Sequence, residues 1–125
     1  MTNDEKILAL RGIDELDVDA GLRVIANMTA PYLKVLRIAV KTEANDKGVL
    51  DRLLAEEKYD DFRVIVHGYK SALANIGALK LSATAKELEI ASTEKNRAEI
   101  DGKLPGFLSR FGALTENLKE ILGDE

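Results

Sequence analysis

Apolar residues return at spacings of three and four along nearly the whole chain, and no stretch alternates as a half-buried strand would. Residues 4–10 allow a short helix in an otherwise polar lead, which Gly12, Ile13 and Asp14 break. Asp17 then offers a cap for a second short helix over residues 18–26, where Leu16, Val18, Leu22 and Ile25 would lie across one end of a bundle. A strong stripe follows at Tyr32, Leu33, Val35, Leu36, Ala39 and Val40, with Thr29 as the expected cap and Pro31 in the first turn, where its missing N–H costs nothing. The stripe fades through residues 41–47 and resumes at Val49, Leu50, Leu53 and Leu54. Two readings fit: one helix running on to about Glu57, or two helices parted at Gly48. The apolar phase is kept across the gap, which favours the single helix, with Gly48 costing about 1 kcal/mol relative to alanine.

After a turn near residues 57–59, the stretch over residues 60–78 predicts the most clearly amphipathic helix, capped by Asp60 or Asp61. Phe62, Ile65, Val66, Tyr69, Ala72, Leu73 and Ile76 make its apolar stripe. Gly77 is placed to take the left-handed conformation that ends a helix. A further helix is expected over residues 78–93, facing inward through Leu81, Ala85, Leu88 and Ala91. The last begins near Arg97 and holds one phase from Ile100 to Leu122, with a kink expected at Pro105. Short connections favour antiparallel neighbours. The expected architecture is all-α: an antiparallel four-helix bundle with one or two short N-terminal helices, in a single domain over residues 1–125 (leading segment 1–17, bundle 18–122).

The single histidine, His67, lies on the amphipathic helix. At about 100° per residue it points roughly 160° from the centre of the apolar stripe, among Arg63, Lys70, Ser71 and Ala74. A lone surface histidine is most often only a surface residue. Here, however, Lys70 occupies the adjacent face, and the small Ser71 and Ala74 clear space one and two turns on. Imidazole is a competent nucleophile near neutral pH, and a neighbouring ammonium favours a phosphoryl group by charge-assisted hydrogen bonds.

Composition narrows the rest. With 125 residues, 46% hydrophobic and 32% charged, the chain has one domain's worth of core. A net charge of −4 without a basic block argues against nucleic acid. The absence of cysteine excludes disulfides and thiol chemistry, and one histidine cannot build a typical nitrogen or sulfur metal site. Glu56, Glu57, Asp60 and Asp61 look like helix-end charges rather than metal ligands. No signal peptide or long apolar run is present, so a cytoplasmic location without membrane insertion is expected. There is no P-loop or kinase pattern, hence no visible means to bind ATP.

His67-Gly68-Tyr69-Lys70-Ser71, with Gly77 ten residues after the histidine, resembles the signature of the histidine-containing phosphotransfer (HPt) domain of two-component phosphorelays: His, two residues, Lys, usually Gly, and a second Gly at plus ten. Ser71 stands where the first glycine is commonest. The flanks at residues 58–61 and 85–89 fit as well, and the resemblance spans residues 18–122. It implies that His67 accepts a phosphoryl group from a receiver-domain aspartate or a cognate kinase and passes it to another receiver. Lys70 would support the phosphoryl group, and Arg63, Val64, Ser71 and Ala74 would border the docking face. The chain would bind no cofactor itself, since the acidic, magnesium-binding pocket belongs to the receiver domain. It would be a carrier rather than an independent enzyme, a monomer whose partners are receiver domains, with a hybrid sensor kinase as a further candidate. The Ser71 hydroxyl could orient the imidazole by a hydrogen bond, or serine could serve only by being small. The competing expectation is a scaffold that binds a signalling partner through the same face, with Val64 and Ala74 exposed, and without phosphate.

Overall fold

The structure, a computed structural model, describes residues 1–46 and 48–123, and of Asn45 the backbone alone. Those residues form seven helices and no strand: α1 (Asn3–Leu10), α2 (Val18–Val24), α3 (Thr29–Asn45), α4 (Val49–Ala55), α5 (Tyr59–Ile76), α6 (Leu79–Thr93) and α7 (Arg97–Leu122). The four longest pack in a closed ring, α5 on α6, α6 on α7, α7 on α3 and α3 on α5. Phe62, Val66, Tyr69, Leu73 and Ile76 of α5 meet Leu81, Ala85 and Leu88 of α6 and Ile100, Phe107, Phe111 and Leu114 of α7 in one core. The rings of Tyr69, Phe107 and Phe111 cluster at centroid distances of 5.3–6.0 Å. The expected stripes are the buried ones, because burying one apolar face is what holds each helix in place.

Two short helices fix the ends. Asp17 caps α2 by accepting from the Ala20 N–H, as the sequence predicts. Asp17 also donates its N–H to the Gly77 carbonyl at 2.8 Å, tying the start of α2 to the end of α5. Gly77 has φ +89°, and a Cβ there would run into the Asp17 carbonyl. Gly21 likewise lets α2 lie against the Ile76 carbonyl and the Tyr32 ring. The buried Tyr32 hydroxyl donates to the Ile76 carbonyl at 2.9 Å, closing this junction from α3. Burial, with Asp17 nearby, pushes the Tyr32 phenol well above its ordinary range.

Several expectations are corrected. α3 and α4 are separate helices, parted at Gly48, whose φ of +89° no continuous helix accommodates; Lys47, inside the predicted continuous stretch, lies outside the described residues. The kept apolar phase reflects two helices facing the same core. Thr29 is the first residue of α3 rather than its cap; Met28 occupies the cap position without a side-chain bond. Asp60 and Asp61 likewise lie inside the first turn of α5, behind Lys58, where their charge favours the helix N-terminus. α2 stops at Val24, where Ala26 and Asn27 take positive φ. The leading segment is better built than a polar lead: Thr2 and Glu5 form a reciprocal capping box, and Leu10 is fully buried. Pro105 lies inside α7, and the helix continues through it. Asp124 and Glu125, at the end of the expected domain, lie outside the described residues.

Candidate functional site

α5 and α6 are joined by Gly77 and Ala78 alone, so α6 turns back along α5. Contacts pair Lys70 with Ser82 and His67 with Glu89, the order of an antiparallel hairpin. This register puts the edge of α5 that carries His67 and Lys70 beside the edge of α6 that carries Glu89. His67 is 59% exposed at its side chain, on the outer side that its helical phase predicts.

Glu89 is the residue that the sequence reading left without a role. One carboxylate oxygen lies 2.7 Å from His67 Nδ1, and the other accepts from Lys70 Nζ at 3.3 Å. Only 22% of its side chain is exposed, so the carboxylate is held between its two partners. Burial works to raise the Glu89 carboxyl, but the hydrogen bonds from His67 and Lys70, with their charges, outweigh it and hold it below the ordinary range. Glu89 is therefore ionised at neutral pH and can only accept. In the neutral form of the ring, Nδ1 therefore carries the proton and Nε2 the lone pair.

The other predicted site residues are placed as follows. Lys70 is half-buried and spends one bond on Glu89 rather than standing free beside the imidazole. Arg63 and Val64 are exposed one turn before His67, and Ser71 is exposed one turn after it. Ser71 makes no hydrogen bond to the ring, since Nδ1 belongs to Glu89. Ala74, expected exposed, is half-buried, because it shares the edge of α5 that faces α6. Gly77 ends α5 in the left-handed conformation, as expected. Lys86, one turn before Glu89 on α6, adds an exposed cation. Gly68, beside His67 in the middle of α5, is exposed, and glycine there costs about 1 kcal/mol relative to alanine.

Among the described residues no group of three or more His, Asp or Glu side chains could hold a metal ion, and no helix is long and apolar enough to cross a membrane. The chain matches no family model, no curated protein and no solved structure.

What remains is the chemistry of the pair. A carboxylate fixes the tautomer and orientation of an exposed imidazole, and a lysine steadies the carboxylate. Such an imidazole can attack an electrophile, and the proton on its far nitrogen needs to go nowhere.

Proposed function

We propose that this protein is a phosphorelay intermediate of the histidine-containing phosphotransfer kind, its four long helices forming the antiparallel bundle of that class. The observation that carries the reading is the 2.7 Å pairing of His67 Nδ1 with Glu89, which leaves Nε2 as an outward nucleophile. In the step proposed, the Nε2 lone pair attacks the phosphorus of an aspartyl phosphate on a receiver domain. The Nε2–P bond forms, the bond from phosphorus to the carboxylate oxygen breaks, and the carboxylate leaves with the electron pair. The ring becomes a phosphoimidazolium whose Nδ1 proton stays on Glu89's side, so its positive charge is met by a carboxylate already in place. Reversing the step hands the group to a second receiver.

Phosphoryl transfer depends on positioning and charge stabilisation, with metal ions usually bridging the phosphoryl oxygens. Glu89 supplies the positioning. Lys70, bound to the same carboxylate as the imidazole, would lend its ammonium to the phosphoryl oxygens, and Arg63 and Lys86 add positive charge around a centre that must accept an acidic partner. The magnesium ion and its acidic pocket would belong to the receiver domain. The protein would act as carrier and substrate, within the cytoplasm.

The test is incubation with a panel of phosphorylated receiver domains, with His67→Gln in parallel. Transfer of label to the parent and none to the variant, with the variant's helical signal and Tm intact, is the expected result. Equal labelling of His67→Gln would place the acceptor elsewhere.

A further inference from the structure

This inference rests on the phosphotransfer reading and concerns how a partner is chosen. Gly68 directly follows His67, is exposed, and has no positive φ; a Cβ built on it meets no atom within 4 Å. Neither packing nor backbone conformation calls for glycine at this position, although a mid-helix glycine weakens the helix. Gly21 and Gly77, by contrast, are required by close backbone approach. Gly102 and Gly106 are as open as Gly68, but they flank Pro105, whose ring and missing N–H already disturb α7 there. α5 contains no proline and runs as regular helix from Tyr59 to Ile76. Gly112 of α7 also meets nothing closer than the Glu43 carboxylate at 3.8 Å, but of the helical glycines that the fold leaves unexplained, Gly68 alone stands next to the nucleophile.

Its surroundings say what would lie over it. Gly68 is about 100° around the helix from His67, on the side away from Glu89 and α6. Within one turn on that side stand Val64, Ile65, Ser71 and Ala72, none of them charged, and Val64 is 65% exposed. The cations Arg63, Lys70 and Lys86 lie on the other side, toward α6. A partner whose acidic centre is drawn to His67 would therefore meet an uncharged ledge with bare backbone beyond it.

We infer that Gly68 is a specificity-determining residue: the notch over its backbone, bordered by Val64, receives an apolar side chain of the carboxylate-bearing protein that exchanges phosphate with His67. A side chain at position 68 would fill that notch and hold the partner away from Nε2.

The experiment compares the parent with Gly68→Ala and Gly68→Gln by three measurements: Tm, labelling by phosphoramidate, and transfer from the most active phosphorylated receiver. Phosphoramidate is a small donor that needs no docking surface; the Nε2–P bond forms as its P–N bond breaks and ammonia leaves. Gly68→Ala should raise Tm by about 3–5 °C, as removal of a helix glycine does. Gly68→Gln should keep phosphoramidate labelling within about twofold of the parent but cut transfer from the receiver at least about tenfold, chiefly through KM. Unchanged transfer by Gly68→Gln would overturn the inference and leave the phosphotransfer reading standing. Equal loss of phosphoramidate labelling would also overturn it, since the effect would then lie on His67 itself. A parent labelled by neither phosphoramidate nor any receiver would overturn the reading, and this inference with it.

Discussion

Glu89 turns a surface histidine into a directed one, and its two bonds separate two effects that substitution can measure. Glu89→Gln keeps an acceptor near Nδ1 but removes the charge. A charge-assisted hydrogen bond is worth roughly 1 kcal/mol more than a neutral one, so transfer to His67 should fall about five- to tenfold. Glu89→Ala also removes the acceptor, and nitrogen NMR of the imidazole should then show both tautomers where the parent shows Nδ1–H alone. Equal rates in all three proteins would mean that the carboxylate does not bear on the reaction. Acid works through the same group. Because the folded Glu89 titrates below its ordinary range, its contribution is fully present above about pH 4.3 and is lost as pH falls through the lowered value. Lys70→Ala should slow transfer with little change in receiver affinity, since the proposed role is on the phosphoryl oxygens; rates equal to the parent would reduce Lys70 to a partner of Glu89.

At the level of helices, the junction of α2 with the end of α5 predicts a sharp difference between glycines. Gly77→Ala places a Cβ at a left-handed position and against the Asp17 carbonyl. It should cost at least about 2 kcal/mol in denaturant unfolding, whereas Gly68→Ala should stabilise. The sequence made much of this level legible. Periodicity located every long helix, Asp17 and Gly77 announced their caps, and the phase of His67 placed it outside. The break at Gly48 was not legible by phase, because two successive helices lining one core keep the same apolar rhythm as a single one. Nor was the pairing of Glu89 with His67. That contact depends on how far α5 and α6 are rotated about their own axes, and Glu89 beside the core residue Leu88 reads as an ordinary flanking charge. The cap positions of α3 and α5 lie one to three residues before those expected, since Thr29, Asp60 and Asp61 suit a first turn as well as a cap.

For the whole molecule, α1 is integral rather than an appended leader. Leu10 is fully buried, and α1 packs on both α3 and α7. Lys6 and Arg37 donate to the Leu122 carbonyl at 3.4 and 2.9 Å, so α1 and α3 together close the end of α7, where positive charge suits the helix dipole. Leu10→Ala should therefore cost about 2–4 kcal/mol in global stability, measured by urea unfolding; a value near zero would mark α1 as dispensable.

The link of Gly77 and Ala78 between α5 and α6 has a kinetic consequence. His67 and Glu89 are 22 residues apart in the chain, whereas the Arg110–Glu15 pair that ties α7 to the first loop spans 95. Closing the first loop loses less chain entropy than closing the second, and contacts of short sequence separation form early in folding. The helical hairpin that carries the imidazole and its carboxylate is thus the natural nucleus, with α1 and the far end of α7 docking onto it later. Damage to the late contacts would speed unfolding more than it slows folding. The functional pair would then be among the first features to assemble and among the last to come apart.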